Sequence, residues 1–414
     1  MTALQITSLI GLLAYFALLL FAVSREKNNQ NVLDFFFAGR TLPFWALSIT
    51  FVASWWGAGS ALSTADLAYS DGLGAFWYYG VPVLLSTLLM IFGAKAIRRV
   101  GYLTQGNMME ARYSPMVSRI LSVMILIFMT FSAASQMVGV GNFFGTYLGL
   151  NYELAVLAGT GIVLIYSMFG GFRGVVLTDI IQFVLLLISA IAVFLVAMSH
   201  SGGFTEIRAA AALAGKQDYM SLTAGASKYT TYVITFGCAW MIQANVWQRI
   251  SAARTTSDAR KMAVLSFFAY IPLYLIVVLT GMAGITMFDS LPEGGIVTSI
   301  VMNHMSPALG ALVFVGISAA IMSTMDSLIN TGAIASMAVG LCYCIYNLLI
   351  SFGVNLPAFW ENQSALQVIL GVGLSVIIYT TVSLCTRPDY EKADRFISQA
   401  DLLGNYHRKE GRQS

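Results

Sequence analysis

The sequence predicts an all-α integral membrane protein with about eleven transmembrane helices. Three observations carry this. First, 58% of the 414 residues are hydrophobic and 10% are charged, against roughly 45–50% and about 25% in soluble domains. Second, apolar runs of spanning length recur at 6–24, 43–69, 75–97, 115–148, 152–170, 175–199, 227–248, 262–287, 308–332, 335–353 and 366–386. Third, every Lys and Arg other than Arg208, Lys216 and Lys228 falls in a link, in the tail or near the end of a run on one face of that arrangement. The positive-inside rule makes that face cytoplasmic, with the N-terminus outside, the C-terminus inside and an odd number of spans.

The first run, 6–24, has no basic segment before it and no cleavage signal, so it reads as a retained helix. The second contains Ser48-Ile-Thr-Phe-Val-Ala-Ser-Trp-Trp-Gly-Ala-Gly-Ser-Ala-Leu-Ser-Thr-Ala-Asp66. Gly57 and Gly59 lower helix propensity at mid-membrane. A discontinuous helix would free carbonyls near Ala53 and Trp56 for a cation, whereas close helix packing explains the small residues equally well. Trp77, Tyr78 and Tyr79 open the third run as an interfacial belt or an outer gate. Gly170-Gly171-Phe172-Arg173 is a turn between two further spans. The linker 200–226 carries an Ala-rich patch at 209–214 that predicts a short surface helix, and the tail 387–414 is polar and charged.

The ninth run holds Ile317-Ser-Ala-Ala-Ile-Met-Ser-Thr-Met-Asp-Ser-Leu-Ile-Asn330. At 3.6 residues per turn, Ala320, Ser323, Thr324 and Ser327 share one face, with Asp326 near its edge. A carboxylate at membrane depth is costly unless it is paired, neutralised or facing a polar cavity. Hydroxyls, carboxylate and carbonyls are hard oxygen ligands suited to an alkali cation. The competing reading is back-bonding of the hydroxyls to the helix, with an acid of another role. The four cysteines, Cys238, Cys342, Cys344 and Cys385, lie in apolar runs without metal spacing, and the three histidines are far apart in sequence. No nucleophile elbow, phosphate loop or dinucleotide fingerprint is present, so neither an enzyme nor a nucleic-acid binder is expected.

Tyr166-Ser-Met-Phe-Gly-Gly-Phe-Arg-Gly-Val-Val-Leu-Thr-Asp-Ile-Ile-Gln182 closely resembles the signature of the sodium/solute symporter family. Asp34-Phe-Phe-Phe-Ala-Gly-Arg40, Gln248-Arg249 with Ala252-Ala253-Arg254, and Ala320-Ile-Met-Ser-Thr-Met-Asp-Ser327 extend the resemblance from residue 6 to about 332. It implies an inverted-repeat core of five plus five helices behind one extra helix. It also implies sodium-coupled import of a small organic solute, with Na⁺ as coupling ion and no other cofactor. The implied sodium ligands are Ala53, Trp56, Ala320, Ser323 and Thr324. A second sodium would use Asp179, Ser323, Asp326 and Ser327, where Asp326 replaces a serine of relatives; the alternative for Asp179 is an interfacial pair with Arg173. The implied solute site comprises Trp55, Trp56, Trp77, Ser135, Gln136, Trp240, Gln243 and Asn245. Trp55 stands where relatives often carry a polar residue. With no Lys or Arg expected at membrane depth, these rings and amides favour an amino acid or betaine-like solute.

After Asn330 the sequence departs from the family, because Ile334-Ala-Ser-Met follows at once with no basic link. The second repeat is therefore expected to lack two helices, which raises an alternative: a transport-impaired, internally deleted or regulatory derivative. The expected organisation is 1–42 extra helix and link, 43–200 first repeat, 201–226 external loop, 227–334 partial second repeat, 335–386 two further helices and 387–414 cytoplasmic tail. The expected setting is a plasma membrane, bacterial and inner, with lipid, solute and sodium as partners. The chain is expected to be a monomer, with a dimer as the alternative.

Overall fold

A computed structural model describes residues 2–24, 32–102 and 104–328. The helices expected at 335–353 and 366–386, and the junction after Asn330, lie outside the described residues. Among those described, five helices are long and apolar enough to cross a membrane. They are Ala3–Ser24, Gly59–Val100, Gly171–His200, Thr256–Met287 and Pro307–Leu328. The expected count of about eleven is therefore not reached among these residues. The first is 22 residues long, or about 33 Å at 1.5 Å per residue, enough for a hydrocarbon layer of roughly 30 Å.

In chain order α1 is Ala3–Ser24, α2 Val32–Phe37, α3 Phe44–Trp55, α4 Thr64–Asp71, α5 Phe76–Val100 and α6 Gln105–Arg112. Then come α7 Pro115–Leu148, α8 Tyr152–His200, α9 Phe204–Leu213, α10 Gly225–Ala239, α11 Ala244–Ala252, α12 Thr256–Met287 and α13 Ile296–His304. Last is α14, Pro307–Leu328. A few helix starts are capped by a side chain. Ser114 accepts the Val117 N–H ahead of Pro115, and Thr255 accepts the Asp258 N–H at the start of α12.

Two breaks matter most. Helix α3 stops at Trp56, which leaves the helical region (φ −99°, ψ 65°), and the chain resumes as a π-helical turn over Gly59–Ser63 before α4. Of the two readings that Gly57 and Gly59 left open, the discontinuous helix is the one present. The run expected as one helix over 227–248 is also interrupted: Trp240–Ile242 forms a 3-10 turn and Gln243 is extended (ψ 143°) before α11 begins. No Gly or Pro marks that second break, so local composition did not signal it. Gly171 (φ 53°, ψ −163°) bends α8 into the two expected spans. Helix α13 was not expected, and the linker carries α9 where a surface helix was.

Helix α12 packs along α5, α4 and α3, while α3 also packs on α8. The approach of α12 to α4 is close enough that a Cβ at Gly281 would collide with the Ala65 carbonyl. Such contacts let dispersion hold helices together where no water drives them. This packing brings the breaks in α3–α4 and α10–α11 towards the polar face of α14.

Candidate functional site

The polar face of α14 meets α3, α8 and α11 in a fully buried cluster. Asp179, Arg249, Ser323, Asp326 and Ser327 are each 0% exposed. Asp179 accepts hydrogen bonds from the hydroxyls of Thr50 on α3 and Ser323 on α14. Arg249 reaches in from α11. Its Nη2 lies 3.3 Å from Asp179 Oδ2, 2.9 Å from Thr50 Oγ1 and 2.7 Å from Ser327 Oγ, while Nη1 donates to the Asn245 carbonyl at 3.2 Å. Ser327 also donates to Ser54 at 3.1 Å, tying α14 to α3. Asp326 accepts from Tyr166 at 2.8 Å, and Gln182 donates to Tyr15 at 2.8 Å alongside. The Arg249 guanidinium lies over the Phe172 ring, 5.5 Å from its centroid, a cation–π contact in a desolvated place.

Charge bookkeeping has a consequence here. When both acids are ionised, two carboxylates face one guanidinium, leaving one formal negative charge. Neither lipid nor protein can leave that charge uncompensated at low dielectric, so a proton or a monovalent cation must balance it.

Above this cluster the break in α3 is held open by specific groups. Trp56 N–H bonds the Ala53 carbonyl at 3.2 Å, and Ala58 N–H is taken by Gln136 Oε1 of α7 at 3.0 Å. A side chain at Gly57 would collide with the same carboxamide. Ser60 accepts or donates with Tyr274 at 2.8 Å and donates to the Trp55 carbonyl at 3.0 Å. Trp56 and Ala320 line one cavity with Ser189, Thr280 and Gly316. Thr324 Oγ1 lies 3.4 Å from the Ala320 carbonyl. Of the expected first-site residues, Trp56 and Ala320 share that cavity, Ser323 turns to Asp179, and Thr324 bonds back to its own helix.

An aromatic group adjoins the break. Trp55 stacks on Tyr270 (centroids 6.3 Å apart, planes at 25°) and meets Trp240 at 5.6 Å. Tyr79 lies 5.2 Å from Trp240, and Trp56 lies 4.8 Å from Tyr274. The Trp55 indole Nε1 is buried without a hydrogen-bond partner among the described residues. Such a donor is costly to leave unmade.

The expected solute residues do not all converge. Trp55, Trp56, Trp240, Gln136 and Gln243 are buried around the two breaks. Asn245 is buried too, but it lies on the ion-cluster side, where its carbonyl accepts from Arg249. Ser135 is exposed, because Gln136 takes the inward position on α7. Trp77 is half-buried and donates to the Leu222 carbonyl of the linker at 2.7 Å, so it clamps the loop. Two charge readings also need correction. Arg249, assigned from sequence to a cytoplasmic link, supplies the deep cation that was not expected, and Asp179 pairs with it and not with Arg173. The Arg249 Nη2 is hydrogen-bonded to two of the four groups expected to hold a second sodium, Asp179 and Ser327. Thr50, Ser54, Arg249, Tyr166 and Gln182 were missed. A signal existed in the i, i+4 spacing of Thr50 and Ser54 on the face of Ala53 and Gly57.

A helix broken beside a buried cluster of polar and charged side chains is an arrangement that many secondary membrane carriers use. The chain belongs to the sodium:solute symporter family, whose sequence profile matches residues 35–339. That is a family of carriers and not of enzymes. The chain is 24% identical over 345 residues to the sodium/glucose cotransporter of Vibrio parahaemolyticus, covering 75% of this chain and 64% of that protein. To the high affinity choline transporter 1 of Homo sapiens it is 23% identical over 425 residues, covering 94% and 69%. To the sodium/proline symporter of Staphylococcus aureus it is 26% identical over 329 residues, covering 76% and 64%. It therefore spans about two thirds of the length of these curated relatives, and less than that for two of them. Its fold is similar to that of a Na⁺-coupled sialic acid symporter (TM-score 0.70, 18% identity, 96% of this chain and 86% of that one). It is similar also to a nucleobase-cation-symport-1 family transporter (TM-score 0.52, 12% identity, 78% and 74%).

Proposed function

We propose that this chain is a sodium-coupled symporter that imports a small organic solute bearing an ammonium or quaternary ammonium group. The observation that carries the reading is the buried cluster of two acids, Asp179 and Asp326, with one guanidinium, Arg249, beside the broken α3, which needs one more positive charge when both acids are ionised. A bound Na⁺ supplies that charge without a proton.

In this reading the carbonyls of Ala53, Trp56 and Ala320 and the hydroxyls of Ser323 and Thr324 replace the hydration shell of the ion. Arg249 competes for the place of a second ion among Asp179, Ser323, Asp326 and Ser327, so one sodium is the simpler stoichiometry. The solute enters between Trp55, Trp240, Tyr79 and Tyr270. These rings now touch one another, whereas a cation held between two faces needs each centroid within about 6 Å of it, so binding parts them. The Trp55 N–H then meets an acceptor on the solute. Two of the relatives are named for choline and proline, both of which carry an ammonium centre, and this agrees with the aromatic lining. Sodium binding ties α3 to α14, and rocking of the helix groups around that junction gives alternating access. The membrane is bacterial and inner, with the N-terminus outside.

The test is uptake by the 414-residue chain in proteoliposomes, using choline, glycine betaine and proline under an inward Na⁺ gradient, an equal K⁺ gradient or a proton gradient. Accumulation driven by Na⁺ alone supports the reading. Accumulation driven equally well by protons overturns it, and failure to accumulate any solute under Na⁺ would favour the transport-impaired derivative.

A further inference from the structure

Two of the three histidines come together from distant parts of the chain. His200 ends α8 and His304 ends α13, and their ring centroids are 4.6 Å apart with the planes tilted by 55°. In a bis-imidazole chelate each nitrogen sits about 2.0–2.1 Å from the metal, which places the centroids about 4.5–5.2 Å apart for angles between square and tetrahedral. The observed separation falls in that range.

The protonation pattern suits ligation. His200 Nδ1 lies 2.9 Å from the Val196 carbonyl oxygen. In the neutral tautomer that donates from Nδ1 to this carbonyl, Nε2 is the nitrogen left to bind a metal. Metal-bound imidazoles characteristically donate their other N–H to a carbonyl or carboxylate in this way. The Phe288 ring backs His304 at 6.2 Å. Among the described residues no group of three His, Cys, Asp or Glu is placed to enclose a metal, so water would complete the shell and the ion would exchange freely.

We propose that His200 and His304 form a two-imidazole site for a divalent transition-metal ion of the zinc class, pinning α13 to the end of α8. The position gives the ion leverage. Helix α13 is already fastened at its start, where Ile296 N–H donates to Asp66 Oδ1 of α4 at 2.7 Å. A metal at its other end makes it a strut between the outer part of the broken helix and α8. None of the residues assigned above to sodium or solute takes part.

The experiment uses the full chain without a polyhistidine tag, in detergent, titrated with Co²⁺ followed by visible absorption and with Zn²⁺ followed by calorimetry. One ion per chain is expected, with affinity falling at least tenfold in His200→Ala and in His304→Asn. Zn²⁺ should slow amide exchange over 296–304 in the wild type only. Both positions are at least partly exposed, and an unchanged melting temperature in each variant verifies that the fold is kept. Wild-type affinity in either variant, or no saturable binding by the wild type, overturns the proposal.

Discussion

Replacing Arg249 by Gln should expose the charge logic of the buried cluster. The guanidinium nitrogen lies 3.3 Å from Asp179, and Coulomb attraction at that separation is about 5 kcal/mol for an effective dielectric constant near 20. Part of this is offset by desolvation, but removing one partner leaves the other charge buried alone, which typically costs about 3–5 kcal/mol. Arg249→Gln should therefore lower the melting temperature in detergent markedly without sodium. Asp179→Asn should do so as well, because the guanidinium loses the carboxylate it is hydrogen-bonded to. The double variant loses both charges together and should recover much of the loss, giving a coupling energy of at least about 1 kcal/mol. Sodium should rescue Arg249→Gln more than the wild type, since the cluster then holds two uncompensated acids. The assay is a thermal shift series across NaCl with choline chloride held at constant ionic strength. Effects that add within about 0.5 kcal/mol, or sodium rescue no greater than in the wild type, would refute the reasoning.

Ser323→Ala combined with Thr324→Ala should weaken sodium-dependent stabilisation by more than tenfold, and an unchanged apparent sodium affinity would show that these hydroxyls serve packing. Asp326→Asn removes the excess negative charge, so sodium affinity should fall at least tenfold while the melting temperature in sodium-free buffer rises or holds; sodium titrations of the melting curve decide it. Gly57→Ala forces a methyl group into the Gln136 carboxamide; uptake should fall sharply, and Gln136→Ala in the same chain should restore part of it. Trp55→Phe keeps a ring face but deletes the unpaired N–H, so solute binding followed by tryptophan-independent radioligand assay should weaken about three- to thirtyfold, consistent with the loss of one hydrogen bond, with little change in sodium affinity.

Much of this architecture was legible in the sequence because its causes are local. Hydropathy over a span and the 3.6-residue period depend only on neighbours in the chain, so the apolar helices up to α14 and the polar face of Ala320, Ser323, Thr324 and Ser327 were both available. Gly57 and Gly59 made a break in α3 one of two readings, and only the structure chose it over close packing. The resemblance of 166–182 and 320–327 to the family then identified the elements that meet. What the sequence could not decide was set by contacts between distant segments. Arg249 looks like one more cytoplasmic charge until Asp179, 70 residues away, neutralises it inside the bundle, since burial of a charge depends on a partner that no local pattern specifies. The break over 240–243 contains no Gly or Pro, so no backbone preference within it announced it. Trp77 turned outward and Ser135 stayed exposed because helix rotation is fixed by packing, and hydropathy does not fix it. The approach of His200 to His304 has the same origin: only the docking of α13 on α8 places two imidazoles where one metal ion could reach both.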